Sequence, residues 1–268
     1  WLTCAEGVRM EIIRTVWEST FITAEALVAL AGLGTFALLV LAFTLRASLV
    51  RPFAVRRLPA VDRIRSALGR AMETGEQMHV ALGTGAIGDL RTADTLAGLE
   101  VVSFLAQRGA VAEVPVHVRV GDPSALAATL AVLQQGAVST GYPDAYDPAQ
   151  AEYVAPAPVA YGAGVAEGIR QEPMVANVMV GAFGPEVLLP GEAGTRRGLL
   201  QVGGTSDPSV LPLFYGTVSA PFVCEEIYAL GAALGRADHT GSLAAQDLFR
   251  YLIAFGIVLV TALGLIGA

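Results

Sequence analysis

Between Glu25 and Arg46 the chain reads ALVALAGLGTFALLVLAFTL, and after Arg250 it reads YLIAFGIVLVTALGLIGA; neither stretch carries a charge or a polar stripe. A helix rises about 1.5 Å per residue, so about twenty apolar residues cross a hydrocarbon core of roughly 30 Å. A water-exposed helix of that length shows polar residues on its outer face. The pattern therefore predicts transmembrane helices over 26–45 and 250–268.

From Val61 the rhythm changes to short apolar runs alternating with amphipathic ones. VDRIRSALGRAMETG reads as a helix stopped by Gly75, MHVAL as a strand, and TADTLAGLEVVSFLAQRG as a helix with Gly109 beyond its end. The unit then repeats. VPVHVRV is a strand and DPSALAATLAVLQQG a helix, with Asp122 as N-cap, Pro123 at the first position and Gly136 as the stop. Such an order predicts an α/β domain over 61–240, with a mostly parallel, Rossmann-like sheet flanked by helices on both faces. MVANVMVGAF, GLLQVGG and VLPLFYGTV are further strand candidates, and GPEVLLPGEAG and CEEIYALGAALG short helices. The stretch from Ser139 to Pro173 breaks the pattern and reads as a long Pro-rich loop. Its Tyr142, Tyr146, Tyr153 and Tyr161 are expected to offer rings to a partner. Residues 1–25 form an N-terminal segment and 46–60 a basic linker beside the first span.

Composition reinforces the two spans, since 54% of residues are hydrophobic and only 15% charged. Arginine sets the orientation. Arg46, Arg51, Arg56, Arg57, Arg63 and Arg65 follow the first span against the single acid Asp62, whereas Arg9 and Arg14 precede it among Glu6, Glu11, Glu18 and Glu25. By the positive-inside rule the α/β domain faces the cytoplasm and the 1–25 segment is extracytoplasmic. Arg46, Arg51, Arg56 and Arg57 lie where anionic lipid headgroups are the expected partner. The net charge of −7 argues against nucleic acid. Cys4 and Cys224 fall on opposite sides of the membrane in this topology, so no disulfide joins them.

Candidate chemistry is sparse. Gly83, Gly85 and Gly88 have the G-x-G-x-x-G spacing of a dinucleotide loop after a strand. Yet DLRTADT delays the following helix, and the nearest acid at the second strand end, Asp122, is spent as a cap. A glycine-rich turn is the expectation, with no cofactor. All 17 basic residues are arginine, which excludes a Schiff-base lysine, a P-loop lysine and a kinase strand lysine. His79 and His117 occupy matching places in MHV and VHV, which makes them candidate neighbours in the sheet and half of a metal site, although toward the strand beginnings. No metal is expected. Glu186, Glu225 and Glu226 begin short helices, where acids favour the helix dipole. A ligand pocket, if present, is expected at Gly83, Gly85, Gly88, Glu186, Gly203, Gly204, Thr205 and Glu225, all just past strand ends.

The segments VDRIRSALGRAMETG, LAGLEVVSFLAQRGA, VGAFGPEVLL, GLLQVGGTSD and CEEIYALGAALG resemble a family of uncharacterised bacterial membrane proteins with a domain of unknown function. That resemblance implies two spans around a cytoplasmic α/β domain and carries over no catalytic residue; the expected location is the bacterial inner membrane. The expected role is a membrane-anchored structural or assembly protein, its α/β domain mediating self-association or docking in a membrane complex. Ala31 with Thr35 and Gly264 with Ala268 give small-residue spacings for helix contact. The competing expectation is a ligand- or nucleotide-binding sensor or enzyme built on the glycine turns.

Overall fold

The computed structural model describes residues 24–49 and 57–266; Cys4, Arg51, Arg56 and Ala268 lie outside the described residues. The chain divides into two compact units, one holding residues 1–54 and 237–268 and the other 55–236.

The first unit contains helix α1 (Ala24–Leu49) and the last helix, α9 (Ala237–Ile266). They lie antiparallel. Phe36 packs against Phe249 as a tilted ring pair at 5.1 Å between centroids, and near the opposite end Gly241 approaches Thr44 so closely that a β-carbon there would come within 2.6 Å of the Thr44 Cα. Thr35 returns its hydroxyl to the Ala31 carbonyl at 2.8 Å, which hides that polar group inside the helix's own backbone. Among the described residues, Ala26–Arg46 is long and apolar enough to cross a membrane, with a mean hydropathy of 2.5. Helix α9 starts at Ala237, well before Arg250. The expected second span occupies the C-terminal part of that helix and runs into residues 267–268, outside the described ones.

The second unit is a parallel sheet of six strands in the order β3-β2-β1-β4-β5-β6. The strands are β1 (Gln77–Gly83), β2 (Val116–Val120), β3 (Ala151–Tyr153), β4 (Met174–Ala182), β5 (Leu200–Gly204) and β6 (Ala220–Pro221). Helices α2 (Pro59–Thr74), α3 (Thr92–Ala112) and α4 (Pro123–Ser139) cover one face. There Met78, Val80, Leu82, Val116, Val118, Val178, Val180 and Val202 meet Ile64, Val102, Leu105 and Leu133. Helices α5 (Pro158–Gln171), α6 (Leu188–Arg196) and α7 (Leu211–Thr217) cover the other, where Ala81 and Met179 meet Tyr161, Val165, Ile169 and Phe214. Helix α8 (Leu230–Ala233) closes the unit. Every residue of central β4 is buried, as a strand sandwiched between two helical layers must be. The α/β expectation holds, and its parallel sheet is Rossmann-like in strand order.

Several local expectations are corrected. Gly109 and Gly136 do not stop their helices; α3 continues to Ala112 and ends on Glu113 in the left-handed region (φ 55°), while α4 reaches Ser139. Both glycines sit at tight crossings, Gly136 against Ala106 and Gly109 against the Val114 carbonyl, so they serve packing. VLPLFYGTV is helix α7, its Pro212 in the first turn, and the strand is the shorter Ala220–Pro221. A short apolar run has no period long enough to tell helix from strand. The expected loop from Ser139 to Pro173 contains β3 and α5. Tyr142 and Tyr153 are exposed, but Tyr161 is fully buried and belongs to the core.

Candidate functional site

In this winding order the connections leave β1 and β4 toward opposite faces, which opens a crevice beyond their C-terminal ends. Gly83 lies there at φ 80°, and a β-carbon on it would overlap the Ala182 carbonyl. A β-carbon on Gly85 would stand 2.5 Å from Ala182 Cβ and 2.6 Å from Thr95 Oγ1. An extra residue in β4 between Met179 and Ala182, with Gly181 at φ 146°, bends that strand across the end of β1. The Thr84 amide then donates to the Ala182 carbonyl at 3.0 Å. The glycines let strand meet strand where a dinucleotide loop would stand open.

The amides of this turn are occupied by the chain's own side chains. The Gly83 N–H donates to Tyr161 Oη (3.0 Å), Ala86 N–H to Asp89 Oδ2 (3.2 Å), Ile87 N–H to Ser124 Oγ (2.8 Å) and Gly88 N–H to Thr92 Oγ1 (2.8 Å). Helix α3 begins only at Thr92, so its positive end stands away from Gly83 and Gly85. Asp122 caps α4 through the Ser124 amide; hydrogen bonding by the Ser124 hydroxyl is the main reason its carboxyl is held below the usual range. Tyr161 donates its own proton to the Arg119 carbonyl at 2.9 Å, and burial pushes its phenol well above the ordinary range.

Beside the crevice a polar cluster ties four connections together. Asp94, in the first turn of α3 and 2% exposed, accepts from Ser206 Oγ at 2.8 Å and from Tyr228 Oη at 2.6 Å. Arg91 stands 3.7 Å from the same carboxylate and donates to the Phe183 carbonyl (2.8 Å) and to Thr205 Oγ1 (3.3 Å). The loops after β1, β4 and β5 and the turn after β6 thus converge on one buried acid. Desolvation, then the bond to Asp94, raises the Tyr228 phenol.

Of the residues expected at a pocket, Gly83, Gly85, Glu186 and Thr205 do gather at this end of the sheet. Glu186 is buried, accepts from the Gly184 amide at 2.7 Å, and presents its carbonyl to Gly162 of α5. Gly203 and Gly204 are pressed on Phe214 and Phe222, so a side chain at either would clash with those residues. Gly88 stays on the exposed turn, and Glu225 is exposed on the 3-10 turn that carries Tyr228. Arg46 and Arg57 are exposed. A cavity of about 200 Å³ lies at the opposite end of the sheet between Ala106, Gly109, Leu133 and Ala137. A recess of about 510 Å³ runs along the outer side of α3, beside the Arg236–Glu100 ion pair.

A second polar constellation lies inside the sheet, on the α5 and α6 side. His79 and His117 are indeed register neighbours, and the row continues through Asn177 and Gln201. His79 Nδ1 meets Asn177 Oδ1 at 2.8 Å, Asn177 Nδ2 donates to Gln201 Oε1 at 3.0 Å, and Gln201 Nε2 donates to the Gly191 and Thr217 carbonyls, each at 2.8 Å. Burial above all, then the charge of Arg119, lowers the His79 pKa to about 3. Arg119, 5% exposed, pairs with Glu152 of β3 at 2.7 Å and with Glu172, in space that Gly168 vacates. No group of three or more metal-ligating side chains occurs among the described residues.

Asp94, Ser206, Tyr228, Arg119, Asn177 and Gln201 were not legible as site residues. Their partners lie far along the chain, and only the signal of polar residues inside apolar strands, as in VHVRV and MVANVMV, marked some of them.

Residues 18–268 match a protein family described as a domain of unknown function (DUF6754). No curated protein and no solved structure matches the chain.

Proposed function

The chain belongs to the family carrying a domain of unknown function (DUF6754), and from that premise we propose a membrane-anchored assembly protein whose α/β unit docks onto copies of itself or onto a larger membrane complex. The observation that carries this reading is the helix pair. Leu27, Leu30, Leu33, Leu38 and Leu41 of α1 and Phe255, Ile257 and Val258 of α9 are each at least half exposed, a surface that water does not tolerate and lipid does. The basic flank from Arg46 to Arg57 supports a cytoplasmic α/β unit and an inner-membrane location. The turn beyond β1 adds support from the other side, because the amides that would hold a phosphate are already engaged.

The competing reading is a nucleotide- or ligand-binding sensor or enzyme, favoured by the winding order alone. Two measurements separate them. The detergent-extracted particle is expected to be larger than one chain by light scattering; a monodisperse monomer sinks the assembly role. A panel of nucleotides at millimolar concentration is expected to leave the melting temperature unmoved, whereas a rise of several degrees with one of them favours the sensor.

A further inference from the structure

The row of polar side chains crossing the sheet has a direction, and the direction exposes a missing link. Gln201 Nε2 faces two backbone carbonyls, which only accept, so the amide orientation at its end is fixed. Gln201 Oε1 therefore receives Asn177 Nδ2, Asn177 Oδ1 turns to His79, and His79 Nδ1 has to carry the proton. That leaves Nε2 of a neutral imidazole as a bare acceptor. It is fully buried and has no hydrogen-bond partner among the described residues.

Arg119 presents the complementary gap. Its Nε and Nη2 are spent on Glu152 and Glu172, while Nη1 is buried and equally unpartnered. Arg119 lies on the same face of the sheet, on β2, two residues beyond the register partner of His79. A guanidinium only donates and a bare imidazole nitrogen only accepts, yet the two do not bond directly.

We infer that His79 Nε2 and Arg119 Nη1 bind one internal water molecule between them. The water accepts from Arg119 and donates to His79, so each of the two orphaned atoms gains a partner of the opposite kind. With it in place, every bond runs in one sense: Arg119 to water, water to His79, His79 to Asn177, Asn177 to Gln201, and Gln201 to the carbonyls that end the row. An anion is a poorer occupant, because Glu152 and Glu172 already neutralise Arg119 and an anion has no proton for His79. Two orphaned polar atoms in a protein interior are a recurrent setting for such a water, and each left dry costs as much as a lost hydrogen bond. The low basicity of His79 fits the same picture, since a protonated ring would turn a donor toward the guanidinium.

The test uses the full chain in detergent or nanodiscs at neutral pH, with nitrogen-15 labelled histidine. Of the three histidines, His79 is assigned by its loss in His79→Gln. The expected spectrum is the Nδ1–H tautomer with Nε2 shifted from the position of a free acceptor toward that of a hydrogen-bonded one. An Nε2–H tautomer, a charged ring, or a free-acceptor Nε2 overturns the assignment. A structure at a resolution that shows solvent gives the independent check: a peak within hydrogen-bonding reach of both atoms is expected, and an empty gap, an ion, or direct contact between the two side chains refutes it.

Discussion

At the scale of single residues, the second unit is tied together by buried polar groups that each have a defined partner. Removing Asp94 is the sharpest test, because two hydroxyls would lose their acceptor and the Arg91 guanidinium its counter-charge at once. Asp94→Ala is expected to cost about 2–4 kcal/mol in denaturant unfolding of the extracted protein, and Tyr228→Phe about 1 kcal/mol, since its ring is partly exposed. His79 makes a prediction in pH. Its folded pKa of about 3 lies below the ordinary histidine value of 6.5, so the unfolded chain binds a proton that the folded chain refuses. Stability is unaffected above that upper value and falls as pH drops through the window between the two, by at most about 1.4 kcal/mol per pH unit. A urea-midpoint series is expected to fall less steeply over that window in His79→Gln than in the parent chain. The sequence shows the polarity of these positions but not their partners. Asp94 and Tyr228 are 134 positions apart and meet only because the winding order brings the loops after β1 and β6 to the same end of the sheet.

At the scale of elements, what is legible is what local chemistry dictates. Asp122-Pro123 starts α4, Gly75 in the left-handed conformation ends α2, and β1, β2, β4 and β5 announce themselves as apolar runs. Helix α5 is not legible, because its packing surface is built from Gly162, Ala166 and Gly168 as much as from Tyr161, Val165 and Ile169, which blurs the apolar period. The glycine turn is legible as a turn, and its reason is steric. Gly83→Ala is expected to destabilise by at least about 3 kcal/mol, since the new methyl meets a backbone carbonyl at a positive φ that alanine already disfavours. Circular dichroism melting checks this. Wild-type-like stability would mean that β1 and β4 are not held as close as described.

At the scale of the whole molecule, the division at Arg236 separates a lipid-suited helix pair from a unit with its own two-sided core. A fragment spanning 57–236 is expected to remain soluble without detergent and to unfold cooperatively, while the full chain needs detergent. Aggregation of that fragment would show that the α/β unit depends on the helices for its core. The apolar helix pair is legible in hydropathy alone, but the length of α9 is not, because its polar first turns precede the apolar run without a breaker.

The outermost strands, three residues in β3 and two in β6, have a consequence for any assembly. A second copy finds almost no open ladder on which to extend the pleated layer, and β3 is further fastened by the Arg119–Glu152 bridge. Edge-to-edge fusion into a continuous intermolecular ribbon is therefore disfavoured, which leaves helix flanks and loop tips as the surfaces for any assembly.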